Sequence, residues 1–173
     1  LGASYRGRPV GSCRYSDMAT LSFHPVKHIT TGEGGMVLTN RADLYQKLRL
    51  YRSHGITREP SLMSRSEGPW YYEMVGLGFN YRISDIQCAL GVSQLRKLPG
   101  FIARRRAIAA EYDRAFSRMP GLRLPALKPG RRHAYHLYVV ELRDPARRRS
   151  FYEFLQSQGI SPNVHYIPVH TLP

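Results

Sequence analysis

The chain has 173 residues, enough for one domain of ordinary size or for one domain and part of a second. A hydrophobic fraction of 42% supports a packed core and argues against disorder, and no apolar run approaches the ~18 residues of a membrane span. The net charge of +14 admits nucleic acid, an acidic membrane surface or small anions as partners. The arginine runs (Arg104-Arg105-Arg106, Arg131-Arg132, Arg147-Arg148-Arg149) are consecutive. On a helix such runs fan around the axis at ~100° per residue and make no stripe, so solvated faces are expected rather than a nucleic-acid or membrane footprint. Cys13 and Cys88 provide neither a disulfide framework nor a metal site, which implies a reducing, cytoplasmic setting. The opening residues lack both an initiator methionine and the apolar stretch of a signal peptide.

Asp17 to His24 alternates as a strand, with Thr20, Ser22 and His24 on one face and Ala19, Leu21 and Phe23 on the other. Lys27 to Gly35 is a glycine-rich turn leading into a short apolar strand, Met36 to Thr39. A helix should follow, capped by Asn40 and stopped near His54-Gly55. Thr57 to Asn80 holds no period and is expected as a long functional loop.

Ser84-Asp-Ile-Gln87 is a capping-box pattern opening a helix with Ile86, Cys88, Ala89 and Leu90 turned inward. Pro99-Gly100 should interrupt it before a second helix bearing Ile108, Tyr112 and Phe116. Proline and glycine return between Pro120 and Arg132, suggesting domains of residues 1–119 and 120–173. His133 to Leu142 reads as a strand and Asp144-Pro145 as a helix start. Phe151, Phe154 and Leu155 are that helix's expected buried face, Gly159 its end, and Val164 to Ile167 a last strand. Alternating helices and strands give an α/β class.

The segment carrying chemistry is Ser22-Phe-His-Pro-Val-Lys27-His-Ile-Thr-Thr-Gly-Glu-Gly-Gly35. A lysine just past a strand end, followed by a glycine-rich turn, can project into a cleft at the sheet edge. Loss of solvent and a cationic neighbour lower a lysine pKa from ~10.4 toward neutrality, freeing the amine for Schiff-base chemistry. By itself that pattern also describes an ordinary surface lysine.

The segment closely resembles the lysine motif of the DegT/DnrJ/EryC1/StrS family of pyridoxal-phosphate (PLP) sugar aminotransferases. Three further stretches resemble the family in the same order: Gly78-Phe-Asn-Tyr-Arg-Ile-Ser-Asp-Ile-Gln-Cys-Ala-Leu90, Phe101 to Tyr112, and Val164-His-Tyr-Ile-Pro-Val-His170. His24-Pro-Val-Lys27, Ile29-Thr-Thr31 and Pro69-Trp-Tyr-Tyr-Glu73 are most similar to the branch of pseudaminic acid biosynthesis, the UDP-4-amino-4,6-dideoxy-N-acetyl-altrosamine transaminases.

The resemblance implies a fragment of the aspartate-aminotransferase-like fold (fold type I), containing the second half of the large domain and the start of a small α/β domain. It implies PLP as cofactor, with Lys27 as its Schiff-base lysine and proton shuttle. Ser22 matches a phosphate ligand, and Asn80 and Arg82 match residues reaching the cofactor phosphate of a neighbouring subunit in a homodimer with shared sites. His24, His54, His165, Tyr166 and His170 match positions near substrate, although a satisfied core histidine is the other reading of each. The implied reaction moves an amino group from glutamate to C4 of a UDP-linked 4-keto-6-deoxy-N-acetylhexosamine. Dehydratase members carry histidine in place of the lysine, so Lys27 favours transamination. Family chains extend at both ends, and the upstream part holds the acidic partner of the pyridinium nitrogen, so this internal fragment is not expected to be catalytic alone. A basic nucleic-acid or anion-binding module without catalysis is the alternative.

Overall fold

The computed structural model describes residues 1–173, opening with a tight hairpin. Strands β1 (Ser4–Tyr5) and β2 (Arg8–Pro9) pair antiparallel across Arg6-Gly7, both at positive φ. Strands β3 (Met18–Ser22) and β4 (Gly35–Thr39) form a second antiparallel pair with Ser22 opposite Gly35. The expected alternation holds. Thr20, Ser22 and His24 are exposed, Ala19 and Leu21 are half-buried, and Phe23 is buried.

Helix α1 (Ala42–Tyr51) starts one residue later than expected, and Asn40 does not cap it. The Asn40 amide instead donates to the Ser12 carbonyl at 2.9 Å, and the residue preceding the helix, Arg41, makes no side-chain cap. Arg41 pairs with Asp43 in the first turn at 2.7 Å. The helix stops where expected, with His54 and Gly55 at positive φ and the Gly55 amide donating to the Leu50 carbonyl.

The stretch after α1 is more ordered than its composition suggests. Strand β5 (Ile56–Thr57) pairs with β6 (Glu73–Met74), and a 3₁₀ turn (Pro60–Leu62) lies between them. The Glu73 carboxylate organises the connection by accepting from the Ser64 amide and hydroxyl (both 2.8 Å), the Arg65 amide (3.1 Å) and the Tyr71 hydroxyl (3.2 Å). No hydrophobic period marks such a loop, because polar contacts hold it.

Helix α2 (Asp85–Phe116) is continuous through Pro99, contrary to the expected interruption. Proline in a helix interior costs ~3 kcal/mol or more through its missing donor and ring clash. Here a reciprocal Ser84–Gln87 cap fixes the start, and buried Ile102 and Ala109 anchor the part beyond. The first turns are reversed from expectation. Ile86, Cys88, Ala89 and Leu90 are all exposed, because nothing in this chain covers that face.

Strands β7 (Leu122–Arg123), β8 (Arg131–Arg132) and β9 (Glu141–Leu142) are two residues each. β8 joins the other edge of β1, and β7 pairs with β9. The continuous strand expected over His133 to Leu142 is absent. Tyr135 turns to positive φ, and carbonyls of this stretch accept arginine donors in place of a ladder. The Asp144 carboxylate accepts from the Ala146 amide and starts a 3₁₀ turn (Pro145–Arg147) that runs into α3 (Arg148–Ser157). Phe151 and Leu155 are half-buried, Phe154 is exposed, and Gly159 at positive φ ends the helix. Val164 to Ile167 forms no strand, since no other segment pairs with it, and a 3₁₀ turn (Val169–Thr171) follows.

Two compact units result, one of Leu1–Ala110 with Leu127–Leu137, the other of Glu111–Ala126 with Tyr138–Pro173. In the first, Phe23, Ile29, Thr31, Ile102, Ala109 and Ala134 are buried, which places its core around the Lys27 turn. In the second, Tyr112 packs on Phe116 and Tyr138, whose hydroxyl donates to Asp113 at 2.6 Å. No helix is long and apolar enough to cross a membrane.

Candidate active site

The turn joining β3 to β4 is held by its own backbone and by two threonines. The Phe23 carbonyl accepts from the Thr31 amide (3.0 Å) and the Thr30 hydroxyl (2.9 Å), while the Phe23 amide donates to the Gly34 carbonyl (2.8 Å). The Thr31 hydroxyl donates to the Glu33 carbonyl at 2.7 Å. The same carbonyl receives the Gln87 side-chain amide at 2.9 Å, which latches the turn to the first turn of α2.

Thr31 is only 3% exposed and sits between two glycines. A Cβ at Gly91 would stand 2.9 Å from its methyl, and one at Gly34 would overlap its hydroxyl and come 3.1 Å from Ile83 Cδ1. Only glycine permits that close approach.

Lys27 lies on this turn, half-buried, its amide donating to the His24 carbonyl at 3.0 Å. Ser22 and His24 stand on the exposed face of β3 just before it. The Ser22 hydroxyl oxygen accepts from the His24 amide at 3.4 Å and keeps its own proton to donate. His24 Nδ1 accepts from the Val26 amide, and its Nε2 is 3.8 Å from Glu33. The structure therefore brings Ser22, His24 and Lys27 together.

Asn80, Arg82 and His54 form a second group. Asn80 bridges Ser53, the His54 amide donates to the Phe79 carbonyl, and the Tyr81 amide donates to the Arg52 carbonyl. All three side chains are exposed. Within this chain no hydrogen bond joins them to the Lys27 group, although Ile83 and Gln87, a few residues on, contact the Lys27 turn. His165, Tyr166 and His170 belong to the second unit. There the His165 and Tyr166 rings lie 4.1 Å apart, His165 Nδ1 is buried without a hydrogen-bond partner, and Tyr166 and His170 are exposed.

The family model of the DegT/DnrJ/EryC1/StrS aminotransferases matches residues 1–173. The chain belongs to that family. It is 38% identical over 172 residues to the UDP-4-amino-4,6-dideoxy-N-acetyl-beta-L-altrosamine transaminase of Campylobacter jejuni, covering 98% of this chain and 43% of that one. Among solved structures, PseC of Helicobacter pylori, an aminotransferase involved in the biosynthesis of pseudoaminic acid, superposes with a TM-score of 0.85 at 34% identity. That match covers 99% of this chain and 44% of that one. A candidate sugar aminotransferase of Streptococcus pneumoniae, solved in a PLP form, gives 0.85 at 29% identity over 99% and 43%. The fold is thus that of the PLP-dependent sugar aminotransferases, and the chain spans less than half the length of these relatives.

The donor set of this chain fits the cofactor of the DegT/DnrJ/EryC1/StrS aminotransferases. Lys27 carries a primary amine of the kind that can join an aldehyde, and Ser22, Asn80 and Arg82 carry a hydroxyl, an amide and a guanidinium, donors of the kind that suit a phosphate dianion. Sequence reasoning missed the residues that brace this set. Thr31 and Gly34 fall inside the lysine motif, but nothing in the sequence pairs them with Gly91, 57 or more positions further on. Arg105 and Arg106, expected on solvated faces, instead donate to the carbonyls of Tyr135, His136, His133 and Gly2.

Proposed function

We propose that the whole protein is a PLP-dependent sugar-nucleotide aminotransferase in which Lys27 holds the cofactor. The observation that carries this is the latched turn. It fixes the backbone on both sides of a half-buried lysine in a chain that matches the aminotransferase family from end to end. When bound, PLP supplies an electron sink that lets an amino group pass from donor to acceptor. Lys27 would hold the cofactor through its amine and would serve as the group that moves a proton, a role that requires a neutral amine at that moment. Ser22 donates its hydroxyl proton to the cofactor phosphate.

The donor is glutamate and the acceptor a UDP-linked 4-keto-6-deoxy-N-acetylhexosamine, aminated at C4. Similarity to the Campylobacter transaminase and to PseC supports this choice. His24 and His54 are substrate residues of the first unit, and His165, Tyr166 and His170 are substrate residues carried by the second. Residues 1–119 serve as the later part of a large domain and 120–173 as the beginning of a small one. Activity is assigned to the whole cytoplasmic protein, and the 173 residues alone are not expected to turn over.

Two copies share the sites, Asn80 and Arg82 donating to the partner's cofactor phosphate. Support comes from the apolar side chains this chain leaves in water, among them Trp70 (71% exposed), Leu77 and Ile86 (84% each) and Phe79, stacked on Tyr81. Exposed apolar surface of this kind marks interaction faces. Borohydride reduction of the full-length protein followed by peptide mapping tests the central assignment. Label is expected on Lys27; label on Lys47, Lys97 or Lys128 with none on Lys27 overturns it.

A further inference from the structure

His28 follows Lys27 and is half-buried. Its Nε2 lies 3.1 Å from the Ala134 carbonyl oxygen, and its ring centroid is 5.4 Å from that of His136. A carbonyl can only accept, so Nε2 carries the proton and donates. Burial lowers the pKa of His28, opposed by the Ala134 bond and reinforced by Arg105 and His136, which favours the neutral ring.

The acceptor is held firmly. Arg105 donates to the Tyr135 carbonyl (3.0 Å) and the His136 carbonyl (3.3 Å), and Arg106 donates to the His133 carbonyl (2.9 Å) and the Gly2 carbonyl (3.1 Å). Ala134 is buried against the same packing that encloses Ile102 and Gly2. Residues 133–136 therefore form a strap pinned to α2 by two guanidiniums.

The Lys27 turn is latched at Phe23 and again at Thr30 to Gly34. Between those latches the backbone around the lysine is held by the hydrogen bond that the Lys27 amide donates to the His24 carbonyl, the burial of Ile29 and the His28 contact with the strap. We infer that His28 is a positioning residue for Lys27. By tying the residue after the lysine to the Ala134 carbonyl, it fixes the direction in which the Lys27 amine leaves the turn. This rests on Lys27 being the cofactor lysine.

The test uses the full-length protein, stripped of cofactor and recombined with PLP, as wild type, His28→Ala and His28→Gln. The rate at which the lysine-bound absorbance appears is followed, and borohydride label on Lys27 is mapped. His28→Ala should slow attachment about fivefold, the factor equivalent to one neutral hydrogen bond. His28→Gln, whose amide can donate to the same carbonyl, should recover most of the loss. His28→Asn, too short to reach, replaces the alanine variant should that one fail to fold. Attachment at the wild-type rate in all variants overturns the inference. So does equal slowing in the alanine or asparagine variant and in the glutamine variant, because a packing role alone would not distinguish a donor. Absence of label from Lys27 in the wild type overturns the cofactor assignment itself and the positioning role with it.

Discussion

Gly34→Ala should unfix the Lys27 turn without touching the lysine. The new Cβ would overlap the Thr31 hydroxyl and press on Ile83 Cδ1 at 3.1 Å. Thr31 cannot swing aside, because it is buried and its methyl already abuts Gly91. Overpacking of this kind costs ~1–3 kcal/mol. Displacing the Thr31 hydroxyl from the Glu33 carbonyl adds ~1 kcal/mol, for a total of ~2–4 kcal/mol. Thr31→Ala alone loses the hydrogen bond and a little packing, ~1–2 kcal/mol. It also vacates the space that the Gly34→Ala methyl needs. The double variant should therefore be less destabilised than the sum of the singles by ~1–2 kcal/mol. Urea unfolding of the full-length protein, with all four members of the cycle at one cofactor concentration, measures this. Additive losses, or a Gly34→Ala variant within ~0.5 kcal/mol of wild type, would refute the wedge.

Four other outcomes are expected. The Glu73 carboxyl is held below the usual range by its bonds to the Ser64 amide and hydroxyl, and to Arg65 and Tyr71. Its contribution to loop order is present at neutral pH and lost as pH falls through that lowered value. Protection of the amides in residues 64–73, taken relative to the intrinsic exchange rate at each pH, should fall in acid, and Glu73→Gln should show the same loss of protection at pH 7. For His28 the folded pKa lies below 6.5, so acidification protonates the unfolded state first. Its contribution to stability should fade as pH drops below 6.5, and His28→Gln should flatten that part of the stability profile measured by urea unfolding. Glutamate should convert the full-length protein to its pyridoxamine form, and a UDP-4-keto-6-deoxy-N-acetylhexosamine should reverse the spectral change; reversal by 3-keto sugars alone would reject the acceptor. Full-length Lys27→Ala and Asn80→Ala/Arg82→Ala chains, each inactive, should regain activity when mixed, and a dead mixture of proven heterodimers would place Asn80 and Arg82 in their own subunit or outside the site.

What the sequence disclosed and what it hid separate along a physical line. The alternation from Thr20 to His24, the Ser84–Gln87 cap and the Gly159 stop are short-range patterns, and each appears in the structure. The failures arise where a distant partner decides. Asn40 is a sound cap by composition, but its amide is taken by Ser12, far back in the chain. Pro99 should break a helix, yet packing at Ile102 and Ala109 carries α2 past it. His133 to Leu142 has strand composition, but its carbonyls are claimed by Arg105 and Arg106.

The candidate site follows the same rule. Lys27 and Ser22 could be picked out because the stretch from Ser22 to Gly35, one strand end and one turn, resembles the family's lysine motif as a contiguous run. What orients Lys27 came from elsewhere, through Gln87 of α2 and Ala134 of the strap. A local motif can hold a reactive amine, but the tolerance of the chemistry is tighter than the freedom of a glycine-rich turn. Reacting atoms must be placed to within fractions of an ångström. The turn has three glycines, at 32, 34 and 35, so it needs external anchors to be rigid at all. The flexibility that lets the chain turn so closely around Thr31 is offset by bonds whose partners lie 54 and 106 residues away.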